Sequence, residues 1–176
     1  KIILKNKSKI EEDCEYIENI FNYVFNYGDN DTQKQILTNI LKLAKSDHIE
    51  SVYFLSRQLY LKDKNKDAMV YLEKCIQRNL LKSFCLFSCI LYEEKMYDKS
   101  LHFAKLGSDF GDCKCLDFYG NMLIDKITFN FNPTRYEESF DCFIKQTLYG
   151  DVLGLDNGIF VLMKILKKIK KSESST

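Results

Sequence analysis

The chain has 176 residues, of which 45% are hydrophobic and 29% charged, and its formal net charge at pH 7 is +1. This is enough apolar material for a core, so a fully disordered chain is excluded, and the near-zero net charge creates no global field toward nucleic acid or a membrane. One proline and seven glycines are too few for a collagen-like chain, or for an all-β sandwich with its many tight turns.

The cysteines and the apolar runs indicate where in the cell the protein is expected. Seven cysteines are spread along the chain without a framework spacing, and most occupy apolar positions of helical patterns. They predict reduced, buried thiols and a cytoplasmic location. No apolar run reaches the roughly 18 residues of a membrane-spanning helix, so no membrane span is expected.

The apolar period is helical from the start of the chain. Ser8-x-x-Glu11 is a capping box, and the apolar residues after it recur at intervals of three and four up to Gly28, which fits the end of a helix. These apolar residues are Ile10, Cys14, Ile17, Phe21 and Val24. After a turn at 29–31, Thr32-x-x-Gln35 predicts a second capping box and a helix through about Lys45.

Short breaks then separate further helices of roughly 13–16 residues, a usual helix length. The predicted breaks are Ser46-Asp47, Asp63-Lys64-Asn65, Asn79, Glu94-Lys95, Gly111, 130–133 and Gly150. Asn132-Pro133 is a good start signal, because proline at the first helical position sacrifices no hydrogen bond. Only 127–131 shows the alternation of a strand. The chain is thus expected to be all-α, with eight to nine helices and short connections that make successive helices antiparallel.

A repeat is visible in the positions of the breaks. Asp47, Asn79, Gly111 and Gly150 are 32, 32 and 39 residues apart, and each is followed four residues later by a small residue. These small residues are Ser51, Ser83, Cys115 and Gly154. Small residues let two helices approach closely, so the pattern predicts helical hairpins that stack on one another.

The pattern resembles Sel1-like repeats, which are relatives of tetratricopeptide repeats. Cys115-x-x-x-Tyr119-Gly120 is similar to the first half of such a repeat, and Asp67-Ala68-x-x-Tyr71-Leu72-x-Lys74-Cys75 to the second half. The resemblance implies a right-handed α-solenoid, a single helical-repeat domain over 1–171 with a disordered tail at 172–176. The expected units are a weak one at 8–46, then 47–79, 80–111 and 112–150, with a terminal half-repeat and capping helix at 151–171. A non-repeating helical bundle and a generic tetratricopeptide-like array are the alternatives.

The residues that could carry chemistry do not form a catalytic pattern. His48 and His102 stand far apart and outside any nucleophile motif, and no Walker loop, H-E-x-x-H or G-x-S-x-G sequence occurs. Cys85-x-x-x-Cys89 and Cys113-x-Cys115 lack the C-x-x-C spacing of zinc knuckles, so core packing is favoured over zinc binding or redox sensing. We therefore expect no enzyme activity, no cofactor, no metal and no small-molecule substrate.

The resemblance implies a binding face instead. In such solenoids the first helix of each hairpin usually lines a concave groove, which indicates a protein–protein interaction adaptor or scaffold that holds a partner segment there. Tyrosine and arginine are common interface anchors. The residues expected to contact the partner are Tyr53, Arg57, Tyr60, Tyr92, Asp117 and Asn121.

The C-terminal segment supports an alternative function. A hydrophobic stripe of Leu162, Ile165, Leu166 and Ile169 predicts an amphipathic helix, which fits a capping helix with one polar face. Its lysines could instead contact phosphates, so that the protein docks on a ribosome or other ribonucleoprotein through RNA backbone contacts. The lysines concerned are Lys164, Lys167, Lys168, Lys170 and Lys171.

Overall fold

The computed structural model describes residues 28–125 and 132–173, and every regular element within those ranges is an α-helix. The eight helices are α1 (Asn30–Lys45), α2 (Ile49–Tyr60), α3 (Asn65–Gln77), α4 (Leu81–Glu93), α5 (Tyr97–Asp109), α6 (Cys113–Ile124), α7 (Pro133–Leu148) and α8 (Leu153–Glu173). The expectation of an all-α chain is confirmed for these ranges. The predicted first helix and the strand-like segment at 127–131 lie outside them, and α8 continues two residues into the predicted tail.

The start of α1 differs from the prediction. Asp29, not Thr32, is the N-cap, and its side chain accepts hydrogen bonds from the backbone N–H groups of Asp31 and Thr32. The Thr32 hydroxyl also donates to the Asp29 carboxylate, at 3.0 Å. A carboxylate accepts from several donors at once and interacts favourably with the positive end of the helix dipole, so it displaces the weaker hydroxyl cap. The end at Lys45 agrees with the prediction.

The helix ends follow one recurring geometry. Asp47, Asn79, Gly111 and Gly150 have φ values of 62°, 57°, 84° and 90°, the left-handed conformation that ends a helix. Asp63 and Lys95, at 56° and 62°, do the same halfway between them. The next residue each time donates its backbone N–H to a carbonyl five residues earlier, as His48 does to Leu43 and Leu80 to Cys75. The predicted breaks at these positions are therefore confirmed.

Lys95 offers a direct test of this geometry. A side chain in the left-handed region costs about 1–2 kcal/mol, and glycine removes that strain while adding freedom to the unfolded chain. We expect Lys95→Gly to raise the free energy of unfolding by about 0.5 kcal/mol in urea denaturation. Lys99→Gly, in the first turn of α5, is the matched control and should lower it by about 0.5–1 kcal/mol. A loss of stability in both variants would contradict the assignment.

The described residues fall into two compact units, one that ends at Ser83 and one that begins at Phe84. In the first unit, α1 packs on α2 and α2 on α3. Val52, Cys75 and Leu80 form one buried cluster and Ile40 with Phe54 another. Ser51 and Ser56 on α2 and Ala68 on α3 are fully buried, as the small-residue pattern predicts. Their lack of bulk allows the helices of this hairpin to lie close together.

The second unit contains α4, from Phe84 onward, through α8. The Ser100 hydroxyl on α5 donates to the Ser88 carbonyl on α4 at 2.7 Å, and the Ser139 hydroxyl on α7 donates to the Gly120 carbonyl on α6 at the same distance. Each hairpin is thus joined through the same kind of contact between small residues. Two larger contacts span one repeat length: Tyr92 with Asp125, and Lys105 with Glu138.

Of the helices that the structure describes, none has the length and apolar character required to cross a bilayer.

Candidate functional sites on the helical repeats

Three of the predicted partner-binding residues lie on α2 in the first unit. Tyr53, Arg57 and Tyr60 are spaced at four and three residues, so they share one side of the helix, and all three are half-buried. The Tyr53 ring packs against the buried cluster of Val52, Cys75 and Leu80. Tyr53 therefore contributes to the core as well as to the surface.

A cleft on the same unit was not predicted. It lies between α1, α2 and α3 and has a volume of about 430 Å³. Its walls are apolar except for one carboxylate: Leu41, Leu55, Leu59, Asp67, Val70 and Tyr71. The i,i+4 spacing of Leu55 and Leu59 is the sequence signal for this side of α2, but that pattern is also the usual signature of a core face.

Tyr92, predicted as an anchor in the second unit, is held within the protein. Its hydroxyl donates to the Asp125 carboxylate at 2.6 Å, and its ring packs edge-on against Tyr97 and Phe118. The hydrogen bond to Asp125, followed by burial, raises the pKa of Tyr92 to about 12. Tyr92 joins α4 to the end of α6, so a partner would meet only part of its ring.

Asp117 and Asn121 are brought together on α6, as their spacing requires. The Asn121 amide donates to the backbone carbonyl of Asp117 at 2.9 Å, and the Asn157 amide of α8 donates to the Asp117 carboxylate at 2.8 Å. Burial raises the pKa of Asp117 despite these hydrogen bonds. This polar group lies where α6 meets α8 and was not expected to include a residue of α8.

The two histidines lie in different surroundings. His48 precedes α2, with Nδ1 at 3.0 Å from the Ser51 hydroxyl and Nε2 at 3.4 Å from the buried Glu50 carboxylate. His102 is exposed on α5, and its ring packs against Phe103.

A second polar cluster consists of thiols and a carboxylate at the start of α6. Cys85 on α4 faces Asp112 and Cys115, and the ligand atoms of these three side chains all lie within 4.8 Å of one another. Hydrogen bonds from the Cys115 and Cys89 thiols hold the pKa of Cys85 below its ordinary value, and the same bonds raise the pKa of both donors. We define Cys85, Asp112 and Cys115 as the thiol–carboxylate cluster.

One exposed side of α8 is apolar. Leu155, Ile159, Leu162 and Leu166 are 52%, 49%, 42% and 59% exposed, and their spacing of four, three and four residues aligns them along one stripe. The side that faces the core carries Gly154, Gly158, Val161 and Ile165. The helix thus exposes an apolar stripe in addition to its charged residues, and its role as a capping helix stays a prediction. We call the exposed stripe the apolar outer face of α8.

The predicted basic residues lie toward the end of the same helix. Lys164 is half-buried, with its ammonium 4.3 Å from the centre of the Phe160 ring, while Lys167 and Lys170 are exposed. The side chains of Lys168 and Lys171 lie outside the described part of the structure.

The chain was compared with models of known protein families and with curated proteins. It matches none of them. The resemblance to Sel1-like repeats consequently stays a prediction drawn from the residue pattern.

Proposed function

We propose that the protein is a non-enzymatic interaction module made of helical hairpins, and that the apolar outer face of α8 receives an amphipathic helix of a partner protein. The adaptor function expected from the sequence is retained. The proposed contact surface is on α8 and not at the predicted anchor residues, because Tyr92 and Asp117 already use their polar atoms within the fold.

The exposure of α8 at positions that the repeat otherwise buries carries this proposal. Asn79, Gly111 and Gly150 are the left-handed residues that precede α4, α6 and α8. Three positions at the same distances after these residues correspond in the three helices. They are Phe84, Ser88 and Leu91 in α4, Leu116, Gly120 and Leu123 in α6, and Leu155, Ile159 and Leu162 in α8. The α4 and α6 residues are all buried, whereas those of α8 are about half exposed.

The contacts in the second unit indicate what covers these positions. Ser100 of α5 donates to the carbonyl of Ser88, and Ser139 of α7 to the carbonyl of Gly120, so the next helix packs on this side of α4 and of α6. A helix in the corresponding place on α8 would bury the apolar outer face in the same way. Amphipathic helices that dock by residues spaced at three and four are a common mode of recognition.

Charge at the two ends of α8 favours one kind of partner. Asp156 is exposed near the start of the helix, and Lys167 and Lys170 are exposed near its end. A partner helix with acidic residues beside Lys167 and Lys170 and a basic residue beside Asp156 would match this distribution. Such complementarity mainly sets orientation and association rate, while the apolar stripe supplies affinity.

Affinity purification with a charged variant tests the proposal. Ile159→Asp places a charge in the middle of the face, and burial of a side chain of this size contributes about 1.5–3 kcal/mol, so we expect partner affinity to fall by roughly 10- to 100-fold. Leu61→Asp, an exposed leucine in the first unit, is the control and should retain the partner. Circular dichroism checks that both variants remain helical.

Nuclease treatment in the same experiment distinguishes binding of a partner protein from docking on a ribonucleoprotein. A protein that is retained after nuclease by the parent and by Leu61→Asp, and lost with Ile159→Asp, supports the proposed surface. Ribonucleoprotein components that disappear with nuclease and with a Lys167→Ala/Lys170→Ala variant, but not with Ile159→Asp, would favour docking through RNA backbone contacts instead.

A further inference from the structure

The thiol–carboxylate cluster is formed by parts of the chain that are far apart in sequence. Cys85 lies in the second turn of α4, whereas Asp112 and Cys115 belong to the start of α6. All three ligand atoms lie within 4.8 Å of one another. Packing within the second unit therefore brings together two sulfurs and a carboxylate.

Two of these side chains are fixed by the local structure of α6. Asp112 is its N-cap, and the Asp112 carboxylate accepts a hydrogen bond of 2.7 Å from the backbone N–H of Cys115. Cys115 is fully buried against Gly107 of α5, where a methyl group in place of hydrogen would overlap the Cys115 sulfur. The absence of a side chain at Gly107 thus creates the space for this sulfur. The positions of Asp112 and Cys115 are set before any ligand binds.

The donor set fits Zn²⁺. Thiolates favour Zn²⁺ over the hard cations Mg²⁺ and Ca²⁺, which require oxygen ligands, and a carboxylate is also a usual Zn²⁺ ligand. In a tetrahedral site with Zn–S near 2.3 Å and Zn–O near 2.0 Å, ligand atoms lie about 3.5–3.8 Å apart. The observed limit of 4.8 Å is about 1 Å above that range, and a change in the side-chain torsion of Cys85 closes a gap of this size.

We propose that Cys85, Asp112 and Cys115 bind Zn²⁺ in a site that joins α4 to α6. Cys89 and Cys113 are close to these ligands in sequence but do not belong to the set. The site is independent of the proposed contact surface on α8.

Cobalt provides the probe, because Co²⁺ occupies tetrahedral zinc sites and reports sulfur ligation by absorption. Metal-free, reduced protein is titrated with Co²⁺ and then with Zn²⁺. We expect one equivalent of Co²⁺ to give sulfur-to-cobalt charge-transfer absorption together with the visible bands of tetrahedral cobalt. We also expect Zn²⁺ to abolish both and to raise the melting temperature.

Three variants define the ligands. Cys85→Ser and Asp112→Asn should each weaken Co²⁺ and Zn²⁺ binding by at least about 10-fold and remove the thermal shift. Asparagine keeps the N-cap acceptor at position 112, so its effect is separated from loss of the α6 cap. Cys113→Ser is the matched control and should bind within about 2-fold of the parent.

The proposal fails if titration produces no sulfur-to-cobalt absorption, or if Cys113→Ser weakens binding as much as Cys85→Ser. Mass spectrometry of freshly purified native protein gives an independent outcome. A disulfide between Cys85 and Cys115 would overturn the metal site, whereas one bound zinc ion per chain, lost in Cys85→Ser, would support it.

Discussion

Replacing Phe143 with alanine is expected to lower the free energy of unfolding by about 3–5 kcal/mol. Phe143 on α7 is fully buried in a cluster with Ile124, Tyr136 and Val161. Its ring also lies against Gly120, where a methyl group would come within 2.9–3.3 Å of ring carbons. Alanine would leave a large cavity where α6, α7 and α8 meet, and a loss of this size approaches the total stability of many domains.

Phe160→Ala is the matched control for this prediction. Phe160 lies on α8 and is 52% exposed, with Lys164 over its ring, so its truncation should cost less than about 1 kcal/mol. Urea denaturation, followed by circular dichroism, measures the free energy of unfolding of both variants. Similar losses in the two variants would show that Phe143 is not a central core residue.

A double-mutant cycle keeps the prediction testable if Phe143→Ala does not fold. Gly120→Ala should destabilise the parent, because its methyl group would press on the Phe143 ring. In a Phe143→Leu background the ring is gone, and the same substitution should cost less. A coupling energy of about 0.5 kcal/mol or more in this direction would confirm the contact.

The helix ends could be predicted because they depend on local chemistry. Asp47, Asn79, Gly111 and Gly150 are residue types that tolerate the left-handed conformation, and each of them adopts it. Lys95 adopts it as well, although lysine has no such preference. The break was nevertheless visible at Glu94-Lys95, because the apolar period of α4 stops there.

The exact start of α1 could not be predicted because two capping residues compete. Thr32-x-x-Gln35 matches the capping box, yet the carboxylate of Asp29 is three residues away and satisfies two backbone donors. Both patterns fit a helix start, and the sequence alone does not rank a charged cap against a neutral one.

The thiol–carboxylate cluster could not be predicted from spacing. Metal motifs are recognised when ligands are close in sequence, and here Cys85 belongs to one hairpin while Asp112 and Cys115 belong to the next. Only the packing register within the second unit places them together. The small residue at position 107 was also needed, and its role is apparent only once α5 lies against α6.

The exposure of the apolar stripe on α8 could not be predicted either, because it also depends on how one helix packs against another. The stripe of Leu155, Ile159 and Leu162 has the periodicity of a core face, and a periodicity does not tell which of two apolar sides faces the neighbouring helix. The two glycines decide this, because Gly154 and Gly158 permit close approach to α7 and turn the leucines outward. The contact surface proposed above therefore depends on those glycines.

Gly154→Ala should consequently separate α8 from α7. A methyl group at this position would lie 2.6 Å from the Phe143 carbonyl oxygen and 2.8 Å from the Thr147 backbone nitrogen, and backbone atoms of a packed helix cannot move aside without displacing the helix. We expect a loss of about 1–3 kcal/mol, which outweighs the gain of up to about 1 kcal/mol from removing a glycine inside a helix.

Gly158→Ala, one turn later on the same side of α8, should have the opposite effect. Its methyl group would meet Phe140 and Phe143 at 3.6–3.7 Å, which is ordinary van der Waals contact. Helix propensity then dominates, and stability should rise by about 0.5–1 kcal/mol. Thermal unfolding of both variants gives the comparison. If Gly154→Ala proved as stable as Gly158→Ala, α8 would not lie against α7 through Gly154, and the outward orientation of its leucines would lose its physical basis.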